Sequence, residues 1–139
     1  MGASVIKQII FTVPGQPIPQ PRARITTRGK FAHAYTPKKH PITAYREAIR
    51  AAAIAAGAKP HRGLVCVYVI ASFKRPASHS TKKGLKKTAP KTPKPDGDNL
   101  LKGILDALNG IAYEDDSQAE KLFVWKRFAE TAETRVTIE

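Results

Sequence analysis

Two aspartates that precede an apolar helical repeat are the first candidates for chemistry. Asp96 and Asp98 flank a single glycine in the segment Lys-Pro-Asp-Gly-Asp-Asn. In extended backbone, residues i and i+2 point to the same side, so both carboxylates can converge on one cation. Capping of the following helix explains one aspartate, whose carboxylate accepts an orphan N–H, but it does not explain the second. The spacing therefore indicates a site for a divalent cation.

A second acidic group follows the predicted helix and consists of Glu114, Asp115 and Asp116. On its own, such a triplet is typical of an exposed turn. Oxygen ligands without histidine or cysteine suit Mg²⁺ or Mn²⁺ rather than zinc. A metal ion held by carboxylates beside DNA can polarise a phosphodiester, generate hydroxide and stabilise the leaving 3′ oxygen. The two acidic groups together therefore favour metal-dependent phosphodiester hydrolysis.

The charge of the chain is strongly segregated. The 139 residues carry a formal net charge of +13. Residues 1–95 hold 19 Lys and Arg and one acid, whereas residues 96–139 hold five Lys and Arg and ten acids. Segregation of this size is typical of a surface that binds nucleic-acid phosphates. Carboxylates repel DNA, so their presence in so basic a chain favours catalysis over passive binding.

A basic loop at residues 74–95 precedes the acids and contains eight Lys and Arg, four Pro and no acid. It is either a solvated linker or a segment that orders on DNA, and we favour the second interpretation. A proline-rich arm at residues 14–21 leads to further arginines. The residues expected to contact phosphates are Arg22, Arg24, Lys82, Lys83, Lys86 and Lys87.

The elements that must position these residues follow from hydrophobic periodicity. Apolar spacing predicts helices from Pro41 to Gly57 and over residues 98–109. It also predicts strands at residues 5–13, 64–73, 118–128 and 134–139, and a hairpin over residues 24–36 with its turn near Arg28. The near-continuous apolar run 64–73 is expected to be a central strand covered on both faces, and Cys66 and Trp125 are expected in the core. The prediction is an α+β protein, residues 1–139 forming one domain, with a mixed sheet of four to five strands flanked by two main helices.

Several classes of protein are excluded by composition. One cysteine excludes an intramolecular disulfide framework and a cysteine-rich zinc module. No apolar run approaches the roughly 20 residues of a membrane span. The N-terminal residues read as a strand rather than a signal peptide. We therefore expect a cytoplasmic protein, of a bacterial or phage-infected host cell, without a membrane partner.

The residues from Lys94 to Leu100, with Lys102 and the segments 106–110 and 115–118, form the pattern PD-x-DN-(x2)-K-(x3)-D-A-L followed by D-D-x-Q. This pattern resembles the signature of the RusA family of Holliday-junction resolvases. The resemblance implies a homodimeric, Mg²⁺-dependent endonuclease, with Mn²⁺ as an alternative ion, that nicks paired strands of four-way DNA junctions symmetrically. It places the catalytic, metal-binding acids at Asp96, Asp98 and Asp116, with Asp115 as the alternative to Asp116. It places an essential lysine, which would orient the scissile phosphate, at Lys102.

Helix geometry leaves the assembly of this site open. A helix over residues 98–109 rises about 1.5 Å per residue, so its ends lie roughly 16–18 Å apart. Asp116 can join Asp98 only if the chain folds back along the helix or if a second subunit supplies it, and we favour a site that dimerisation helps to assemble. The alternatives for function are a non-catalytic nucleic-acid-binding protein and a nuclease for other branched DNA.

Overall fold

The protein folds around one mixed β-sheet. The computed structural model describes residues 7–21, 24–26, 33–35, 40–76, 80–81, 84–85, 88–91 and 94–139, with the backbone alone for residues 24–26, 33–35, 80–81, 84–85 and 88–90. The strands within these ranges are β1 Ile9–Pro14, β2 Arg24–Thr26, β3 His33–Tyr35, β4 Val65–Lys74, β5 Ser80–Thr81, β6 Gly84–Leu85, β7 Thr88–Pro90, β8 Ala119–Ala129 and β9 Glu133–Ile138.

Five strands form the main sheet in the order β1-β9-β4-β8-β7. Strands β4 and β8 run parallel, and the other neighbours run antiparallel. This is the mixed sheet that the sequence predicts. β2 and β3 pair as the expected hairpin, while its predicted turn near Arg28 lies outside the described residues.

Two helices, α1 (Ile42–Ala55) and α2 (Gly97–Leu108), confirm the two predicted ones. α1 follows Pro41, and the N–H of Ile42 donates to Nδ1 of His40 at 3.0 Å. Its buried stripe is Ile42, Tyr45, Ile49 and Ala53. The helix was predicted to reach Gly57, but it ends at Ala55 and Ala56 is exposed.

The expectation that the central strand is covered on both faces is wrong. In β4, alternate residues such as Val67 and Val69 are buried, whereas Tyr68 and Ile70 are only partly buried. The buried set forms a core with apolar residues of α1 and α2, so both helices lie on one face of the sheet. The other face, which we call the open face, carries the second set.

Two residues expected in the core lie on this open face. Trp125 is 51 % exposed and pairs in register with Ile70. Cys66 is only partly buried. Phe123, 55 % exposed, stacks on Tyr68 with 5.1 Å between ring centroids. Residue type predicts burial of tryptophan and cysteine, but no element of the described chain covers this side of the sheet.

The basic segment 74–95 contains more regular structure than a loop. Within it, β7 pairs antiparallel with β8 and forms one edge of the sheet, and β5 pairs with β6. In the described part of the chain, no helix is both long enough and apolar enough to cross a lipid bilayer.

Candidate active site

Asp96 and Asp98 lie at the start of α2, as the sequence predicts. Asp96 is the N-cap residue, with extended backbone angles of φ −67° and ψ 140°. Its main-chain carbonyl accepts the N–H of Leu100 at 3.2 Å. Its side chain makes no capping hydrogen bond. Asp98 lies in the first turn, and both residues are exposed. The capping role that would explain Asp96 without catalysis is therefore not what its carboxylate does.

Strand β8 supports the loop that carries these acids. Lys126 Nζ donates to the carbonyl oxygen of Pro95, the residue before Asp96, at 3.0 Å. A Cβ atom on Gly97 would lie 3.1 Å from Cγ1 of Val124. Glycine at this position thus lets the start of α2 approach the strand closely, and a larger residue would require Val124 to move.

The chain folds back after α2. Gly110 has a positive φ of 76°, and its N–H donates to the carbonyl of Tyr113 at 2.7 Å. The buried hydroxyl of Tyr113 donates to the carbonyl of Leu105 at 2.7 Å. Burial raises the pKa of Tyr113, and the negative charges of Asp116, Asp106 and Asp115 raise it further. The second acidic group is therefore close to the last turns of α2, whereas Asp98 lies in its first turn.

Asp115 and Asp116 differ in what their carboxylates do. Asp115 caps the 3₁₀ helix Asp116–Gln118, because its Oδ2 accepts the N–H of Ser117 at 3.1 Å. These hydrogen bonds lower the pKa of Asp115. Gln118 Oε1 in turn accepts the N–H of Asp115 at 2.9 Å. Asp116 is partly buried in the first turn of this short helix. The geometry thus gives Asp115 a structural task and leaves Asp116 as the better candidate ligand.

Gln118 fixes this loop to the rest of the protein. Its Nε2 donates to the carbonyls of His61 and Gly63 at 2.7 and 2.8 Å. The residue is the last one in the D-D-x-Q motif, so the motif could have indicated its importance. No sequence motif indicated the role of Lys126, because its contact with Pro95 joins residues 31 positions apart.

Lys102 is exposed on α2, one turn beyond Asp98. The simple structural role for it would be an ion pair with Asp106. Asp106 instead lies 4.0 Å from Arg46, which also donates to Gln20 Oε1. Among the residues whose side chains are described, Lys102 forms no ion pair. Its ammonium group is therefore available to an external anion.

The carboxylates suit a hard divalent cation in chemistry and accessibility. Within the described ranges, however, no three His, Cys, Asp or Glu side chains already converge as a metal-binding group. Of the residues expected to bind phosphates, Arg24 lies at the start of β2 and only its backbone is described. The other five lie outside the described residues: Arg22, Lys82, Lys83, Lys86 and Lys87.

Comparison with known proteins identifies the family. The model of the family described as endodeoxyribonuclease RusA matches residues 14–139. The chain belongs to the RusA family. This match extends from the end of β1 to the last residue and includes both acidic groups and Lys102. The chain is also 36 % identical over 138 residues to the uncharacterized protein YqaN of Bacillus subtilis strain 168, covering 94 % of each chain. RusA proteins are endodeoxyribonucleases that act on branched DNA junctions, which makes DNA cleavage the class of activity.

Proposed function

We propose that this protein is a divalent-metal-dependent endonuclease that resolves four-way DNA junctions by paired, symmetric nicks. The observation that carries the proposal is the pair Asp96 and Asp98 at the start of α2. Both side chains are exposed, and the carboxylate of Asp96 is not used as a helix cap. Asp98, in the first turn, can stabilise the helix dipole, but that role does not explain Asp96. A second exposed carboxylate weakens DNA binding in a protein of charge +13, so the pair favours a catalytic role.

Asp96, Asp98 and Asp116 would hold Mg²⁺, for which Mn²⁺ can substitute. When bound, such an ion acts as a Lewis acid on a phosphodiester and lowers the pKa of a coordinated water. The turn after α2 keeps the second acidic group near the last turns of the helix whose first turn carries Asp98. Commitment of Asp115 to Ser117 supports the choice between the two neighbouring aspartates.

Lys102 would bind and orient the scissile phosphate. It is exposed on the same helix as Asp98 and one turn away, so both can face one DNA strand. A fixed positive charge beside the phosphate also stabilises the negative charge that develops in the transition state.

A second copy of the chain would complete the enzyme. Two symmetric nicks in a four-way junction require two active sites, and a two-fold dimer supplies them with matched geometry. The open face of the sheet is the surface that we assign to the dimer. It carries Ile10, Phe123 and Trp125, which are 44, 55 and 51 % exposed. These large apolar side chains are costly to leave in water, and a second copy would cover them.

The function is tested with labelled four-way junction and linear duplex, each with and without Mg²⁺. The wild type is expected to nick the junction only with the metal. Asp98→Asn is expected to bind the junction at least as tightly, because it loses a negative charge, and to produce no nicks. Glu130→Gln, which neutralises an exposed acid in the turn after β8, serves as the matched control and should leave nicking unchanged.

Each other result identifies an alternative. Nicking by Asp98→Asn at the wild-type rate would refute the assigned chemistry. Binding by the wild type without nicking of any DNA would indicate a non-catalytic nucleic-acid-binding protein. Equal cleavage of flaps, three-way junctions and four-way junctions would indicate a nuclease for branched DNA in general.

A further inference from the structure

Arg75 is buried without a partner for its side chain. The residue is 8 % exposed, and its Nε, Nη1 and Nη2 atoms have no hydrogen-bond acceptor among the described residues. Its main-chain N–H donates to the carbonyl of Ala129 at 3.0 Å, which continues the pairing of β4 with β8 by one residue. Alternation along the strand therefore places Arg75 on the same face as Phe73, the face covered by the helices.

An unpartnered buried guanidinium requires an explanation. The group stays protonated at every physiological pH and carries five N–H donors. Desolvation without acceptors is strongly unfavourable. The sequence has no Asp or Glu between Glu47 and Asp96, and Glu130, which follows β8, is exposed and forms no ion pair with Arg75. The missing acceptor is thus expected to come from outside the protein.

Two lysines, Lys91 and Lys126, lie near the C-terminal ends of β4 and β8. Lys91 Nζ is 4.7 Å from the ring centre of Phe73 and 4.8 Å from that of Phe128. Burial lowers the pKa of Lys91, and the positive charge of Lys126 lowers it further. Within the described part of the chain, no carboxylate lies within ion-pair distance of Lys91. Arg75 and Lys91 therefore both carry positive charge here without an ion pair among the described residues.

The cationic cluster formed by Arg75, Lys91 and Lys126 adjoins the proposed active site. Lys126, which lies close enough to Lys91 to lower its pKa, also donates to the carbonyl of Pro95. Pro95 immediately precedes Asp96. The cluster and the carboxylates are thus connected through one hydrogen bond and one peptide unit.

We propose that Arg75 and Lys91 form a binding site for a backbone phosphate of DNA next to the phosphate that is cleaved. Oxygen atoms of the phosphodiester would accept the N–H groups of Arg75, which matches the planar fork of a guanidinium. Lys91, only partly buried, forms the accessible end of the site. Arg75 forms the closed end, so the atoms that cover it must shift when DNA binds. The site deepens the proposed function and rests on it for the identity of the DNA.

The test measures junction binding as a function of salt in the Asp98→Asn background, where no cleavage interferes. Arg75→Met keeps the length and packing of the side chain and removes its charge. Loss of one phosphate contact is expected to reduce the slope of log K against log salt by about 0.9 and to weaken binding about eightfold at 0.1 M salt. Lys91→Met changes a more accessible side chain and is likewise expected to reduce the salt slope and the affinity.

Lys74→Met is the matched control. Lys74 is exposed and adjacent in sequence, and alternation along β4 places it on the opposite face of the sheet. Its loss removes the same charge but should leave the salt slope unchanged. Thermal unfolding checks the fold, and Arg75→Met is expected to melt at or above the wild-type temperature, because it removes an unsatisfied buried charge.

Two results would overturn the proposal. The first is an unchanged slope for both Arg75→Met and Lys91→Met, and the second is an equal loss of slope in Lys74→Met. If Arg75→Met does not fold, Lys91→Met alone decides between these results. The proposed function is tested by a different measurement, which is nicking by the wild type. If the wild type does not nick junctions but the salt slope of binding still falls in these variants, the proposed function fails and the phosphate site stands.

Discussion

The hydroxyl of Tyr113 lies 2.7 Å from the carbonyl oxygen of Leu105 and holds the chain after α2 against the end of that helix. The tyrosine is fully buried, and its pKa is raised first by burial and then by the charge of Asp116. This contact keeps the chain at the last turns of α2, whereas Asp98 lies in the first turn of the same helix.

Because Asp98 and Asp116 lie toward opposite ends of α2, a mixed dimer can show whether one chain or two supply the acids of a site. One subunit would carry Asp98→Asn and the other Asp116→Asn. If each site is built within one chain, both sites of the heterodimer lack one acid and no nick is expected. If the acids come from different subunits, one site contains both changes and the other is intact, so a single nick per junction would appear on a denaturing gel. Dimers of two wild-type subunits give the upper limit of nicking, and dimers in which both subunits carry the same substitution give the lower limit.

Asp115 and Asp116 should respond differently to the same substitution. Asp116→Asn is expected to abolish nicking while leaving stability nearly unchanged. Asp115→Asn is expected to retain nicking but to lower the melting temperature, because a neutral amide oxygen accepts the N–H of Ser117 more weakly than the carboxylate does. Nicking assays and thermal melts on both variants check this, and loss of nicking in Asp115→Asn alone would reverse the assignment.

The stability contributed by Asp115 should depend on pH. Its pKa is lowered in the folded state by hydrogen bonds from Ser117. A carboxyl with a lowered pKa stabilises the fold above its unfolded value of about 4, and this contribution is lost as the pH falls through the folded value. The difference in melting temperature between wild type and Asp115→Asn is therefore expected to be largest near neutral pH and to disappear in acid. A constant difference would contradict this origin.

The open face of the sheet predicts the effect of a polar substitution on oligomeric state. Trp125→Gln is expected to convert the proposed dimer into a monomer, because it removes a large apolar side chain from the assigned interface. Ile54→Gln is the control, since Ile54 is 58 % exposed on α1, away from this face. Light scattering coupled to size-exclusion chromatography gives the mass of each. A wild-type monomer, or a Trp125→Gln dimer of unchanged affinity, would refute this interface.

Tyr45 provides a test of core packing at alkaline pH. Its hydroxyl lies 2.5 Å from Thr134 Oγ1, and burial raises its pKa to about 12. Because the unfolded chain ionises near pH 10 while the folded one does not, the contribution of this tyrosine is complete below pH 10 and declines as the pH rises toward 12. Tyr45→Phe should lose about 1 kcal/mol of unfolding free energy at neutral pH. Its denaturant midpoint should also fall less than that of the wild type between pH 10 and 12.

Local spacing in the sequence accounts for much of what the structure contains. The periodicity of apolar residues in α1 and α2 predicts both helices to within a few residues, because a helix face is defined by residues three and four apart. The same reasoning places Asp96 and Asp98 beside the start of α2. It overestimates the length of α1, which was predicted to reach Gly57 and ends at Ala55.

The chain by itself thus determined the order of its elements, the position of both acidic groups and the segregation of charge, since each is a property of neighbouring residues. Only the tertiary structure decided that Trp125 lies on an open face, that Asp115 is a cap and that Lys126 supports Pro95. The burial of Arg75 likewise emerges only in the fold. Coverage of a face and long-range contacts depend on which elements pack together. A period of two or 3.6 residues shows which side chains share a face, but not what that face meets.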